Sequence, residues 1–79
     1  MTKKQRNESK ENIKKVWALA DKSQIVDGKQ DVDCEITYVD LDGLHVTERT
    51  KYVRWDGAIV TESNSFIFGD LERVLSVKA

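Results

Sequence analysis

The chain contains no proline, one cysteine, one histidine and no long hydrophobic run. Each scarcity removes a class of explanation. Without proline, no X-Pro isomerisation complicates folding. Cys34 stands alone, which rules out an intramolecular disulfide framework and a cysteine-built zinc site. His45 alone cannot supply a pair of imidazole ligands. The longest apolar stretches, such as Val16 to Ala20 and Ala58 to Val60, are far shorter than the ~20 residues of a membrane-spanning helix. A lone thiol and the lack of a signal-peptide pattern lead us to expect a cytoplasmic protein with no membrane association.

Catalytic patterns are equally scarce. The four glycines, at positions 28, 43, 57 and 69, are isolated, so no glycine-rich loop can cradle a phosphate. No serine or cysteine stands at readable triad spacing with His45 and a carboxylate. The acidic residues fall mostly in turns and on outer strand faces, where they nominate no acid/base pair. Cys34 sits on an apolar strand face between Asp33 and Glu35, the wrong surroundings for a reactive thiolate. The expectation is a non-enzyme with no cofactor, no metal and no catalytic residue.

What the chain does have is 79 residues, enough for one domain with a thin stability margin. The formal net charge of -1 hides an asymmetry. Residues 1–15 carry six basic residues against two acidic ones, whereas the remainder carries seven basic against twelve acidic. Two readings of this basic start stand side by side. Lys3, Lys4 and Arg6 can bind nucleic acid or an acidic partner, or residues 1–8 are only a flexible, solubilising tail ahead of a single domain at 9–79. The acidic body argues against broad phosphate contact.

Periodicity divides the chain in two. From Ser9 to Asp21 the spacing of Ile13, Val16, Trp17 and Ala20 marks one helix face. Asn7 or Ser9 can cap its start, and Thr2 with Gln5 offers a capping box one to two turns earlier. From Asp31 the period becomes two, with Val32, Cys34, Ile36 and Tyr38 on one face of a strand. Leu44 to Trp55 reads as a long second strand bent near Thr50. Ala58–Thr61, Ser65–Phe68 and Arg73–Val77 follow as shorter strands, with Phe66 and Phe68 assigned to the core and Ile67 opposite. Turn residues separate them, at Asp56-Gly57, at Glu62-Ser63-Asn64 and in a tight 3₁₀ turn at Gly69 to Glu72. The expected fold is mostly β: an N-terminal α-helix and a five-stranded antiparallel barrel of SH3-like or Sm-like type.

The segment Asp40-Leu41-Asp42-Gly43 poses the sharpest chemical choice. As an EF-hand loop with Gly43 at its sixth position, it would need an oxygen ligand where Tyr38 stands and a glutamate where Arg49 stands. It is therefore read as a hairpin corner, with Gly43 left-handed in a three-residue loop. That register sets Asp40 opposite Leu44, Tyr38 opposite Val46 and Ile36 opposite Glu48. It also sets Glu35 against Arg49 as a cross-strand ion pair.

Two surfaces remain as binding candidates. One is acidic, formed by Asp33, Glu35, Asp40 and Asp42 with Arg49, and suits a protein partner. The other is the run KYVRW, in which Tyr52 and Trp55 interleave with Lys51 and Arg54. Rings and cations in that order can stack and neutralise a single strand of RNA or DNA. The competing reading puts a ring into the core with cations as its solubilising flanks.

The run ITYVDLDG, then ERTKYV, then FIFGDLERVLSV resembles the C-terminal barrel half of WYL domains, with Phe68, Leu71, Arg73, Val74 and Val77 echoing their ending. The Trp-Tyr-Leu tripeptide of that family does not occur here, so no ligand site is carried over. The ending LERVLSV is also similar to the Rof family of Rho-binding antiterminators, whose fold is a helix followed by an Sm-like barrel. The aspartate and asparagine pair of Sm RNA-binding proteins has no clear counterpart. These resemblances imply a small bacterial or phage regulatory module. The resulting expectation is an adaptor or inhibitor of a protein partner, able to form homo-oligomers through strand edges. The alternative is a single-strand nucleic-acid binder using Lys51, Tyr52, Arg54, Trp55 and the basic N-terminus.

Overall fold

Thr2 decides where the helix begins. The computed structural model describes residues 2–20, 26–68 and 72–79. In it, Gln5 N–H donates to Thr2 Oγ1 at 3.1 Å and Thr2 N–H donates to the Gln5 side-chain oxygen at 3.0 Å. This reciprocal box satisfies two otherwise orphaned donors. Helix α1 therefore spans Lys3–Leu19, beginning ahead of the expected Ser9 start. Residues 3–8, expected as a tail, are its first turns. The predicted apolar face is correct: Val16 and Ala20 are buried, and Ile13 and Trp17 pack against the core.

Six antiparallel strands follow among the described residues: β1 (Lys29–Asp31), β2 (Glu35–Val39), β3 (His45–Arg54), β4 (Ile59–Thr61), β5 (Phe66–Ile67) and β6 (Arg73–Lys78). The sheet order is β5-β4-β3-β2-β6, with β1 pairing β3 off that path. Six strands replace the expected five because the single strand foreseen from Asp31 to Val39 breaks at residues 32–34. The cause lies across the ladder. β3 pairs with β2 through residues 45–49 and with β1 through residues 52–54. Its register against β4 shifts between Thr50 and Tyr52, an irregularity at the place where a bend is expected from the sequence.

Thr50 repairs the break. Its buried hydroxyl accepts the Cys34 N–H at 3.0 Å and lies 3.1 Å from the Cys34 carbonyl. A side chain thus takes over where the backbone ladder is interrupted.

Three hairpins share one construction. In the segments 40–44, 54–58 and 61–65, the N–H of the fourth residue donates to the carbonyl of the first, and the N–H of the first to the carbonyl of the fifth. The fourth residue is left-handed each time: Gly43 (φ 83), Gly57 (φ 90) and Asn64 (φ 65). These are the residue types that tolerate positive φ. Asp40 Oδ1 adds bonds from the N–H groups of Asp42 (2.9 Å) and Leu44 (2.8 Å). The predicted register holds, with Tyr38 opposite Val46, Ile36 opposite Glu48 and Glu35 opposite Arg49.

The core gathers Val16, Ala20, Val32, Cys34, Ile36, Tyr38, Val53, Ile59, Ile67 and Val74. Strand β5, expected as the fourth strand, reverses its expected faces. Ile67 is 1% exposed and Phe66 is 49% exposed, so isoleucine enters the core instead of the phenylalanines. Because side chains alternate, a one-residue difference in phase exchanges the faces, and the left-handed Asn64 sets that phase. Phe-Ile-Phe is apolar throughout, so its hydrophobicity cannot choose.

The two ends of the sheet are β5 and β6, and among the described residues no pairing joins them. The sheet is open. Helix α1 packs along β6: Ser9 Oγ accepts the Val74 N–H at 2.9 Å and donates to the Glu72 carbonyl at 3.0 Å. Asn12 Nδ2 donates to the Val74 carbonyl at 2.8 Å. The turn expected at Gly69 to Leu71 lies outside the described residues, as does the helix end expected at Asp21.

Candidate functional site

The acidic residues singled out by sequence divide into two groups. Asp33 receives two bonds from Arg49, from Nε at 3.0 Å and from Nη2 at 2.6 Å. The expected partner of Arg49 was Glu35, directly opposite on β2. Asp33 takes its place because the interruption of the strand at residues 32–34 lets its carboxylate reach the guanidinium. Donating to the Asp33 carboxylate raises the Arg49 pKa above its ordinary value. This exposed pair is worth little in stability. Asp40 and Asp42 stand elsewhere, at the tip of the β2–β3 hairpin.

The KYVRW run is separated by strand geometry. Val53 is buried in the core, whereas Tyr52 and Arg54 are half-buried on the opposite face. There the rings and cations pair with other strands. Lys29 Nζ lies 4.9 Å from the Tyr52 ring centroid, and the Arg54 guanidinium lies 4.8 Å from that of Phe66. These are cation–π distances. Arg54 also forms a two-point pair with Asp56, at 3.2 and 2.6 Å. The hydrogen bond from Arg54 holds the Asp56 carboxyl below its usual range. Lys51 is exposed.

Trp55 occupies a hairpin corner and is 80% exposed, as is Leu41 at the equivalent corner of the β2–β3 turn. A Cβ on Gly28 would come within 2.6 Å of Trp55 Cδ1, so this glycine permits the ring's close approach. Lys3, Lys4 and Arg6 stand on α1 against β6, while KYVRW belongs to β3 and the turn after it.

Sequence reasoning missed the concavity at the open end of the sheet. A pocket of about 230 Å³ lies between the β2–β3 tip and β5, with Tyr38, Leu41, Phe66 and Ile67 as apolar lining. Its ionisable rim is Asp40, Asp42 and Glu72. Glu72 is buried and closes the end of β5: its N–H donates to the Phe68 carbonyl at 2.9 Å, and its Oε2 accepts the Phe68 N–H at 3.0 Å. Burial pushes the Glu72 carboxyl pKa up, against the lowering effect of that hydrogen bond. Among the described residues, no ion pair neutralises Asp40, Asp42 or Glu72. One signal was available in the sequence: Leu41 is an apolar residue in an otherwise polar turn.

Behind the pocket a polar network ties the hairpins together. Tyr38 Oη donates to Glu48 Oε2 at 2.6 Å, and Ser63 Oγ donates to Glu48 Oε1. Desolvation opposes ionisation of Glu48, but hydrogen bonds from Ser63, Tyr38 and Thr61 hold its pKa below the usual value. Burial, with Glu48 as acceptor, pushes the Tyr38 phenol up to about 12.

Cys34 is fully buried, its Sγ 3.4 Å from Thr50 Oγ1. His45 is exposed on β3. Among the described residues, no group of three or more His, Cys, Asp or Glu is placed to hold a metal ion, and no helix is long and apolar enough to cross a membrane. Compared with known proteins, the chain matches no family model, no curated protein and no solved structure.

Proposed function

We propose that this chain is a non-enzymatic binding module, an adaptor or inhibitor of a protein partner, that docks through the open end of its sheet. One observation carries the reading: exposed Leu41 and half-exposed Phe66 flank an apolar pocket beside three carboxylates. Concave, partly apolar ground with a few polar groups is the ordinary form of a binding site. A small cytoplasmic barrel of SH3-like or Sm-like type, related to the WYL or Rof modules of bacteria or phage, belongs to the same proposal. Its support is the register shift of β3 against β4 between Thr50 and Tyr52, a bulge-type irregularity of the kind that curves small antiparallel sheets. The two-residue β5 adds a short edge, unpaired among the described residues, of the kind that recruits an extended segment or a second copy.

The test is an affinity capture from host lysate with the wild-type chain beside a Leu41→Ser, Phe66→Ser variant. A stoichiometric protein held by the first and released by the second is the expected result. Equal capture by both would move the partner to another face.

A second reading has its own observation. Lys29, Tyr52, Arg54 and Phe66 form two ring–cation pairs near the exposed Trp55, and such elements serve single-stranded RNA or DNA. Against it, the cations already cover ring faces that bases would need, and Asp56 offsets Arg54. Titration of labelled single-stranded RNA at low and physiological salt separates the readings, because phosphate-driven affinity falls steeply with salt. Binding at neither concentration excludes the nucleic-acid reading.

A further inference from the structure

We propose that the pocket between the β2–β3 tip and β5 accepts a basic side chain, arginine or lysine, from an apolar-flanked segment of the partner protein. The inference rests on the docking reading and adds the partner's chemistry. Three features select the occupant. The apolar lining of Leu41, Phe66 and Ile67 suits the methylene stem of a long side chain, since such stems bury along apolar surface while the charged head seeks polar partners. The charged groups lining the pocket are all carboxylates, and among the described residues none of them has an ion-pair partner. Glu72 is 9% exposed, and among the described residues its carboxylate accepts one hydrogen bond, from the Phe68 N–H to Oε2. An incoming guanidinium or ammonium compensates this desolvated carboxylate and meets Asp42 at the mouth. An acidic or phosphorylated segment would meet repulsion from all three groups.

The experiment is selection of random linear peptides on the immobilised full chain, with the Leu41→Ser, Phe66→Ser variant as subtraction control. The expected outcome is enrichment of peptides with arginine or lysine next to apolar residues. Replacing that basic residue by glutamine in the best synthetic peptide should weaken binding about tenfold, the scale of one charge-assisted contact. Asp42→Asn should give a similar loss; its side chain is exposed, so the fold is preserved, as a thermal melt would verify. Glu72→Gln should add to the loss, provided its melt shows a folded chain. Enriched peptides without basic preference would overturn this inference and leave the docking reading standing. No enrichment over the control would overturn both. A concentration-dependent dimer abolished by Leu41→Ser would also overturn it, by giving the pocket to a second copy of the chain.

Discussion

The two ends of the sheet solve one problem in opposite ways. Among the described residues, both β6 and β5 carry backbone groups with no further strand to pair them. At β6, α1 lies along the strand, and Ser9 and Asn12 take the N–H and carbonyl of Val74. At β5 the strand is two residues long, Glu72 binds only its Phe68 end, and a pocket opens beside it. Sealing an edge with side chains from a rigid helix yields stability; shortening an edge and leaving it open yields surface. The difference teaches that one small sheet can be sealed by side chains at one end and left as exposed surface at the other.

The comparison breaks most visibly at Ser9. Ser9→Ala orphans the Val74 N–H and the Glu72 carbonyl, and should destabilise by on the order of 2–4 kcal/mol, because each buried unsatisfied group costs ~1–3 kcal/mol. Denaturant unfolding measures this. A loss below about 0.5 kcal/mol would mean that the helix does not seal β6.

Next comes Tyr38→Phe, which strips one donor from Glu48 and should cost about 1–2 kcal/mol at neutral pH. Its pH signature is specific. The folded pKa of Tyr38 is raised, so its contribution is fully present below the unfolded value and is lost as pH rises through about 12. Alkaline unfolding of the wild type should therefore be steeper than that of the variant.

The carboxylates of Glu48, on the central strand β3, and Glu72, beside β5, respond to pH with opposite signs. The depressed pKa of Glu48 contributes stability above its unfolded value, lost as pH falls through the folded one. The raised pKa of Glu72 acts in reverse: its contribution is present in acid and lost as pH rises through the folded value. Glu72→Gln keeps an acceptor for Phe68 and should flatten the fall in stability from acid to neutral pH. An unchanged pH profile would show that Glu72 is not desolvated. The smallest stability effect belongs to the open end, where Leu41→Ser should stay within about 0.5 kcal/mol while abolishing partner capture.

Much of this fold was legible from short segments. Asp40, Asp42 and Gly43 fixed the β2–β3 register residue by residue, because a three-residue loop with one left-handed position permits a single pairing. The alternation from Val32 to Tyr38 named a buried face. Less of the candidate site was legible. Asp40 and Asp42 were marked as surface, but the pocket they share with Phe66 and Glu72 was not. The phase of Phe66-Ile67-Phe68 was read in reverse, since three apolar residues in a row carry no alternation. Ser9 was read as a helix cap, although it falls on the same stripe as Ile13 and Val16, where a serine signals a buried hydrogen bond.

What the sequence determined by itself was local: three hairpin corners, the helix stripe and the alternating strand faces. These follow from the φ preferences and hydrophobicity of four to eight neighbouring residues. Only the tertiary structure decided that Ser9 meets Val74 across 65 positions of chain, that β3 changes partner at Thr50, and that β5 stands apart from β6. Those outcomes depend on how distant segments satisfy each other's backbone groups, a constraint that no short stretch of sequence contains.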